Sequence, residues 1–329
     1  MKVVIGTCMI LGCFFGAGFV SGREISFYFA RFGSNSILAI ISATILFFLL
    51  TMFFFLLSNK MKNFSEFSDM CFGKYASAIN ILLSLCMLII SGSMLSGTRA
   101  LACELRVNEV VLLSITIVIT FCVIKGNTKS VSNINMVLVP ILVAILLISS
   151  FNVGDNGYND SNRIVAILNG AGYVFINIVS LGMFILEIGH KYTMKQKAQI
   201  SLMSSLVIAI ILIFLCSSII SNNIVDEMMP NLILSSINPA LYVGMQISIY
   251  FGLLTTYIAN IFVLCNYVIK FVKKRNYAII LTVTTSAIIS MLKFDIIVGY
   301  VYWIICFVGI IIVVGSCIHI KKERRSHLS

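Results

Sequence analysis

The densest run of residues able to do chemistry lies near the amino terminus and reads Gly12-Cys13-Phe14-Phe15-Gly16-Ala17-Gly18-Phe19-Val20-Ser21-Gly22-Arg23-Glu24. The chemistry it offers is binding. Gly16 and Gly18 lower the cost of leaving helical dihedrals, so an apolar helix passing through them can break. Carbonyls freed near Phe15, Gly16 and Ala17 suit a cation, and the N–H groups that restart the helix near Phe19 to Ser21 suit a carboxylate. Inside a bilayer such a break is tolerated only beside protein or a water-filled cavity. The same glycines have another use, because Gly12/Gly16 and Gly18/Gly22 are small-xxx-small pairs that let a second helix approach closely. Arg23 and Glu24 are charges in an apolar context. They read as an outer gate or as groups that have reached the headgroups, and as helical neighbours they point apart rather than pairing.

A second run, Gly170-Ala171-Gly172-Tyr173 followed by Asn177, Ser180 and Gly182, predicts another helix break between 170 and 182. Gly172 and Asn177 are then expected to face the solute, joined by Ser93 and by Phe15, Gly16, Ala17, Gly18, Phe19 and Ser21 of the first run. Thr255-Thr256 offers two hard oxygen donors that suit an alkali cation beside Phe15 and Gly16, although hydroxyls also serve as ordinary glue between helices. Arg99 and Asp295 complete the expected gate with Arg23 and Glu24, Asp295 pairing with Arg23 across it. A catalytic reading has little to stand on. There is no His-Glu-x-x-His or Gly-x-Ser-Gly run, and His190, His319 and His327 all fall at the ends of apolar segments. The ten cysteines are scattered without a Cys-x-x-Cys pair, so neither a metal nor a disulfide framework is expected. No enzyme activity and no cofactor are predicted beyond Na+ or H+ as a coupling ion.

The elements that must position these residues are membrane spans. The chain has 329 residues, 60% hydrophobic and 11% charged, with a mean hydropathy of +1.06, far from the composition of a soluble domain. Each crossing needs roughly 20 apolar residues. About ten such runs are present, at 3–30, 36–58, 76–103, 108–125, 134–151, 164–189, 198–221, 238–270, 277–292 and 295–319. An even number puts both termini on one side. Seventeen of the 23 Lys and Arg fall on that side, among them Lys2, the Lys60/Lys62/Lys74 loop, Lys270 to Arg275 and the 320–329 tail. The positive-inside rule therefore makes both termini cytoplasmic. The net charge of +11 is explained by anionic lipid, with no nucleic-acid partner required.

Spacing also points to an internal duplication. Spans one and three start ~73 residues apart and spans six and eight ~74, so five spans map onto five. Because five is odd, the second half enters from the opposite face. The expected fold is an all-α membrane protein forming one transporter domain over 1–329, with repeats of about 1–155 and 160–320. Spans one and six are expected to be discontinuous, the arrangement of many secondary transporters that bind solute at the midplane.

Gly16-Ala17-Gly18-Phe19-Val20-Ser21-Gly22-Arg23-Glu24-Ile25 resembles the first-span signature of the YkvI-like bacterial membrane proteins, regarded as amino-acid permeases. That family is thought to be related to the amino acid, polyamine and organocation superfamily, whose fold is LeuT-like. The resemblance implies a bacterial cytoplasmic-membrane protein with its substrate site at spans one and six and an amino acid or similar small solute as substrate. It also implies that Thr255 and Thr256 match the paired hydroxyls that help bind sodium in sodium-coupled members. Proton-coupled relatives often carry a lysine in span five. The segment from Asn133 to Phe151 has none, which favours sodium. The competing function is a ligand-sensing receptor subunit on the same fold, without net transport.

Overall fold

The computed structural model describes residues 1–151, 154, 162–291 and 301–326, and among them every regular element is helical. Seven helical stretches are long and apolar enough to cross a membrane: Ala30–Leu57, Phe64–Glu104, Asn127–Ser149, Arg163–Gly189, Met194–Ser221, Pro239–Val272 and Tyr302–Lys321. Three shorter helices, α1 (Lys2–Phe14), α7 (Glu109–Lys125) and α13 (Arg275–Ile289), stand where spans one, four and nine were expected. The other expected spans correspond to α4 (Ser36–Leu57), α6 (Ala76–Glu104), α8 (Asn127–Ser149), α9 (Arg163–Gly189), α10 (Met194–Ser221), α12 (Pro239–Val272) and α14 (Tyr302–Ser326). The expected starts at 36 and 76 match α4 and α6 to the residue, and those at 164 and 238 fall within one residue of α9 and α12, which Asn162 and Asn238 cap. Helix α10 starts four residues before the expected 198, at a capping box of Thr193 with Gln196.

Apolar side chains point both ways, as a bilayer solvent requires. Ile41, Ile45 and Leu49 on α4 and Leu202, Leu206 and Ile210 on α10 are exposed. Their partners on the opposite faces pack inward. Helix α12 is the most enclosed, with 83% of its apolar window buried, and it packs against α1, α6, α8 and α13. Buried hydroxyls satisfy themselves locally, since Thr51 donates to Phe47 O, Ser91 to Met87 O and Thr98 to Met94 O, each four residues back. An unpaired polar group in hydrocarbon costs several kcal/mol, so this back-bonding is what lets polar residues sit inside the bundle. Lys197 is buried on the same logic. Its ammonium donates to Phe55 O, Ser58 Oγ and Asn59 Oδ1, neutralising the orphan carbonyl end of α4.

Two expectations about the elements need correction. Helix α9, at span six, is a single continuous helix from Arg163 to Gly189, so the second break is absent. Its glycines are spent on close approach instead. A Cβ at Gly170 would meet the Ala39 carbonyl, one at Gly182 would lie 2.8 Å from the Phe54 ring, and one at Gly189 would meet Ser58, so a small-residue stripe seats α9 on α4. The second concerns the 59–75 segment, which is more than a polar loop. It contains α5 (Phe64–Phe72), capped by Asn63 and anchored by buried Phe64 and Phe67.

A break in the first span and the cavity beside it

Helix α1 ends at Phe14, and the chain then crosses Phe15 (φ −76, ψ 71) and an extended Gly16 (ψ 178) before the short α2 (Ala17–Ser21) restarts it. The Gly16 N–H turns back to Phe14 O at 2.9 Å instead of reaching the carbonyl four residues earlier. The Gly12 and Cys13 carbonyls thereby lose helical donors, and another helix supplies one: Thr256 Oγ1 of α12 donates to Gly12 O at 3.1 Å and lies 3.4 Å from Cys13 O. Gly252, one turn earlier on α12, touches the break directly, since a Cβ there would lie 2.8 Å from Phe15 O. The neighbouring Thr255 hydroxyl donates within its own helix, to Phe251 O at 2.9 Å and Gly252 O at 3.3 Å. Carbonyl and hydroxyl oxygens of α1 and α12 are thus gathered at one point, a donor set that fits an alkali cation. Phe15 O and the Thr256 hydroxyl lie at this point. The Gly12 and Cys13 carbonyls, which sequence reasoning did not single out, join them, and Gly252 leaves room for the approach.

A polar ladder continues from this point. Asn260 donates to Thr256 O at 3.0 Å, Ser180 of α9 donates to Asn260 Oδ1 at 2.5 Å, and Cys13 Sγ lies 3.7 Å from Ser180 Oγ. The three helices are tied together by side chains that are all nearly fully buried. Asn177, one turn before Ser180, donates back to Tyr173 O and faces the cavity.

Beyond the break the chain makes a second turn. Gly22 adopts a left-handed conformation (φ 90) between α2 and α3 (Arg23–Tyr28), a conformation only glycine takes without strain. Asn231, on the short α11 (Pro230–Ser235), clamps it: Asn231 Nδ2 donates to Val20 O at 2.9 Å, and its side chain fills the place a Cβ would take at Gly22. This turn folds Glu24 back toward α2. Its carboxylate is 4% exposed, accepts a 2.7 Å bond from Tyr173 OH and has Tyr302 of α14 within hydrogen-bonding reach. Gly18 is small because this carboxylate lies against it.

The space so formed, a cavity of about 20 Å³ with room for a water-sized centre, has a polar wall of Cys13, Glu24, Asn177, Ser180, Thr256 and Tyr302. Its apolar wall is Phe14, Gly16, Ile90, Met94 and Ile176. Around it stand edge-on aromatic pairs, Phe14 with Phe19, Phe47 and Tyr173, and Phe15 stacks on Phe19 at 4.8 Å. Among the expected solute-facing residues, Gly16 and Asn177 line the cavity and Gly18 backs Glu24. Ser93 lies behind Tyr302, within hydrogen-bonding reach of it. Ser21 donates to Gly18 O in the turn behind, and Gly172 faces Cys306 on α14. Of the expected gate, Arg23 Nη1 reaches Asp226 O and Glu227 O, both at 3.2 Å. Arg99 Nη1 reaches Ser290 O at 3.2 Å, Glu24 belongs to the cavity wall, and Asp295 lies outside the described residues. Tyr173, Tyr302 and Cys13 were missed as site residues.

The fold itself is that of known symporters. The chain superposes on Mhp1, a nucleobase-cation-symport-1 family transporter in a closed conformation with bromovinylhydantoin bound. The TM-score is 0.63 at 14% identity, over 87% of this chain and 70% of that one. A Na+-coupled sialic acid symporter, in a substrate-bound outward-open state, matches with a TM-score of 0.64 at 14% identity, over 94% of this chain and 76% of that one. Mhp1 in its inward-facing conformation matches with a TM-score of 0.59 over 93% of this chain. These neighbours are membrane transporters, not enzymes. In sequence the chain is similar to the uncharacterized membrane protein YkvI of Bacillus subtilis (strain 168), 30% identical over 142 residues, 42% of this chain and 41% of that protein's length. No family model matches.

Proposed function

We propose that this chain is a cation-coupled secondary transporter that carries an amino acid or similar small organic solute across a bacterial cytoplasmic membrane by alternating access. One observation carries the reading: the first span loses its helix at Phe15–Gly16, and the freed Gly12 and Cys13 carbonyls meet the Thr256 hydroxyl at the edge of a buried cavity. A cation drawn to those oxygens and to Thr255 and Phe15 O would draw α1 toward α12, which is the kind of differential contact that lets an ion bias one conformation over another. The water-sized centre of the cavity means that a solute enters only when the walls part. Ten spans arranged as five plus five inverted, with both termini cytoplasmic, complete the proposal, and the Mhp1-like fold supports it. Sodium is the favoured ion because the donors are neutral hard oxygens and α8 brings no lysine to the site.

The test is uptake of labelled amino acids into proteoliposomes under an imposed sodium or proton gradient. Saturable accumulation that follows one gradient is the expected result. Flux that is unsaturable and indifferent to both gradients rules the proposal out.

A further inference from the structure

The cavity has a charge preference that the fold alone does not supply. Its wall carries one ionisable carboxylate, Glu24, 4% exposed, and among the described residues no Lys, Arg or His lines the cavity. Two neutral hydroxyls approach that carboxylate, Tyr173 at 2.7 Å and Tyr302. An ionised carboxylate has about four acceptor sites, and hydroxyl dipoles do not cancel its charge, so it retains both acceptor capacity and a need for a counterion. The other hydroxyls of the wall already serve the protein, Thr256 donating to Gly12 O and Ser180 to Asn260, and Asn177 spends one of its two amide N–H groups on Tyr173 O. Acceptors therefore dominate what a solute meets. Of the aromatic side chains packed around Glu24, Phe14 and Tyr302 belong to the cavity wall, and Tyr173 stands behind it, edge-on to Phe14 at 5.7 Å.

We infer that Glu24 is the counterion for a protonated amine, so that the solute this site selects is an organic ammonium with a short apolar body set against Ile90, Met94 and Ile176. The assignment rests on the transporter reading for its biological meaning, but its physical content is recognition. It separates this cavity from one built for an anionic solute, whose carboxylate would require a fixed cation or free donors. It also separates the two positive ligands, with the inorganic cation placed at the α1–α12 carbonyls and the ammonium at Glu24.

The experiment is a thermal-shift titration of the purified full chain in detergent with sodium present. The probes are shape-matched sets, for example leucine, its decarboxylated amine 3-methylbutylamine and its deaminated acid 4-methylpentanoate, with corresponding trios for alanine, valine and phenylalanine. At least one amine-bearing probe is expected to stabilise the wild-type protein while its deaminated acid does not. Glu24→Gln is expected to weaken that probe at least ~10-fold while keeping the sodium-dependent shift, and Glu24→Asp to recover part of the loss. Stabilisation by the acids, by none of the probes, or equally in Glu24→Gln overturns the assignment, as does loss of the sodium shift in Glu24→Gln. Should Glu24→Gln fail to fold, the amine-against-acid comparison in the wild-type protein decides alone. Amine binding without proteoliposome uptake would remove the transporter reading and leave the counterion assignment intact. Gradient-driven uptake of a deaminated acid would do the reverse.

Discussion

The placement of Glu24 is decided by one residue, Gly22, whose left-handed backbone (φ 90) reverses the chain so that α3 carries the carboxylate back into the cavity. Read as a regular helix, the same sequence puts Glu24 about two turns beyond the break and close to the headgroups, which is why it looked like a gate. A glycine in a glycine-rich run does not announce which dihedrals it takes, and the residue that fixes them here, Asn231, is ~210 positions away. Thr255 and Thr256 stand out as paired hydroxyls in an apolar span, a pattern shared by cation sites and by ordinary glue between helices, and the structure sets Thr256 against the first span. The geometry of Thr256 gives a sharp expectation. Thr256→Val removes the hydroxyl that bridges to Gly12 and Cys13 carbonyls. The cation affinity should fall about tenfold, equivalent to ~1.4 kcal/mol, read as a rightward shift of the sodium-dependent stabilisation curve. Thr255→Val, whose hydroxyl already bonds its own helix, should shift that curve less. Equal curves for Thr256→Val and wild type would remove the α1–α12 oxygens from the cation site.

Glycine plays two physical roles in the long helices, and the contrast between α1 and α9 separates them. At Gly16 the chain is extended and a Cβ would meet only the flexible end of Met94, 3.3 Å from Cε. At Gly182 the backbone is helical, and what forbids a side chain is the Phe54 ring of α4. Sequence patterning shows that both spans carry small residues but not whether the neighbour is open space or another helix, so the break in span one was anticipated and the continuity of span six was not. Span three, expected at 76–103 and found at Ala76–Glu104, was legible because nothing but its hydropathy had to be read. The two roles predict opposite phenotypes. Gly182→Leu should cost on the order of 3 kcal/mol by forcing α9 away from α4, seen as a lower melting temperature in detergent. Gly16→Leu should keep the wild-type melting temperature and abolish uptake by filling the cavity. If Gly16→Leu unfolds the protein while Gly182→Leu is silent, the assignment of break and packing face is reversed.

At the scale of the whole molecule the basic residues are distributed unevenly among the segments that join the helices. In the proposed ten-span order, the segments holding Lys60, Lys62 and Lys74, Lys191 and Lys195, and Lys270 to Arg275 fall on the same face as Lys2. The segments after α6 and α10 fall on the other. The proposed ten-span order assigns 17 of the 23 Lys and Arg to the first face, and in a membrane whose cytoplasmic leaflet is anionic each is favoured there by ~1 kcal/mol. Reversing the molecule would place most of them on the wrong side, so the orientation is strongly biased. Helix α10 runs between the faces with Lys195 exposed near its start and the exposed Ser236 just beyond α11 on the far side, which makes the pair a direct probe. In a background with the native cysteines replaced, Ser236→Cys should react with a membrane-impermeant maleimide on intact cells. Lys195→Cys should react only after permeabilisation. The converse pattern would put the amino terminus outside. It would also place the basic 60–74 and 270–275 segments outside, against the bias that anionic lipid gives them.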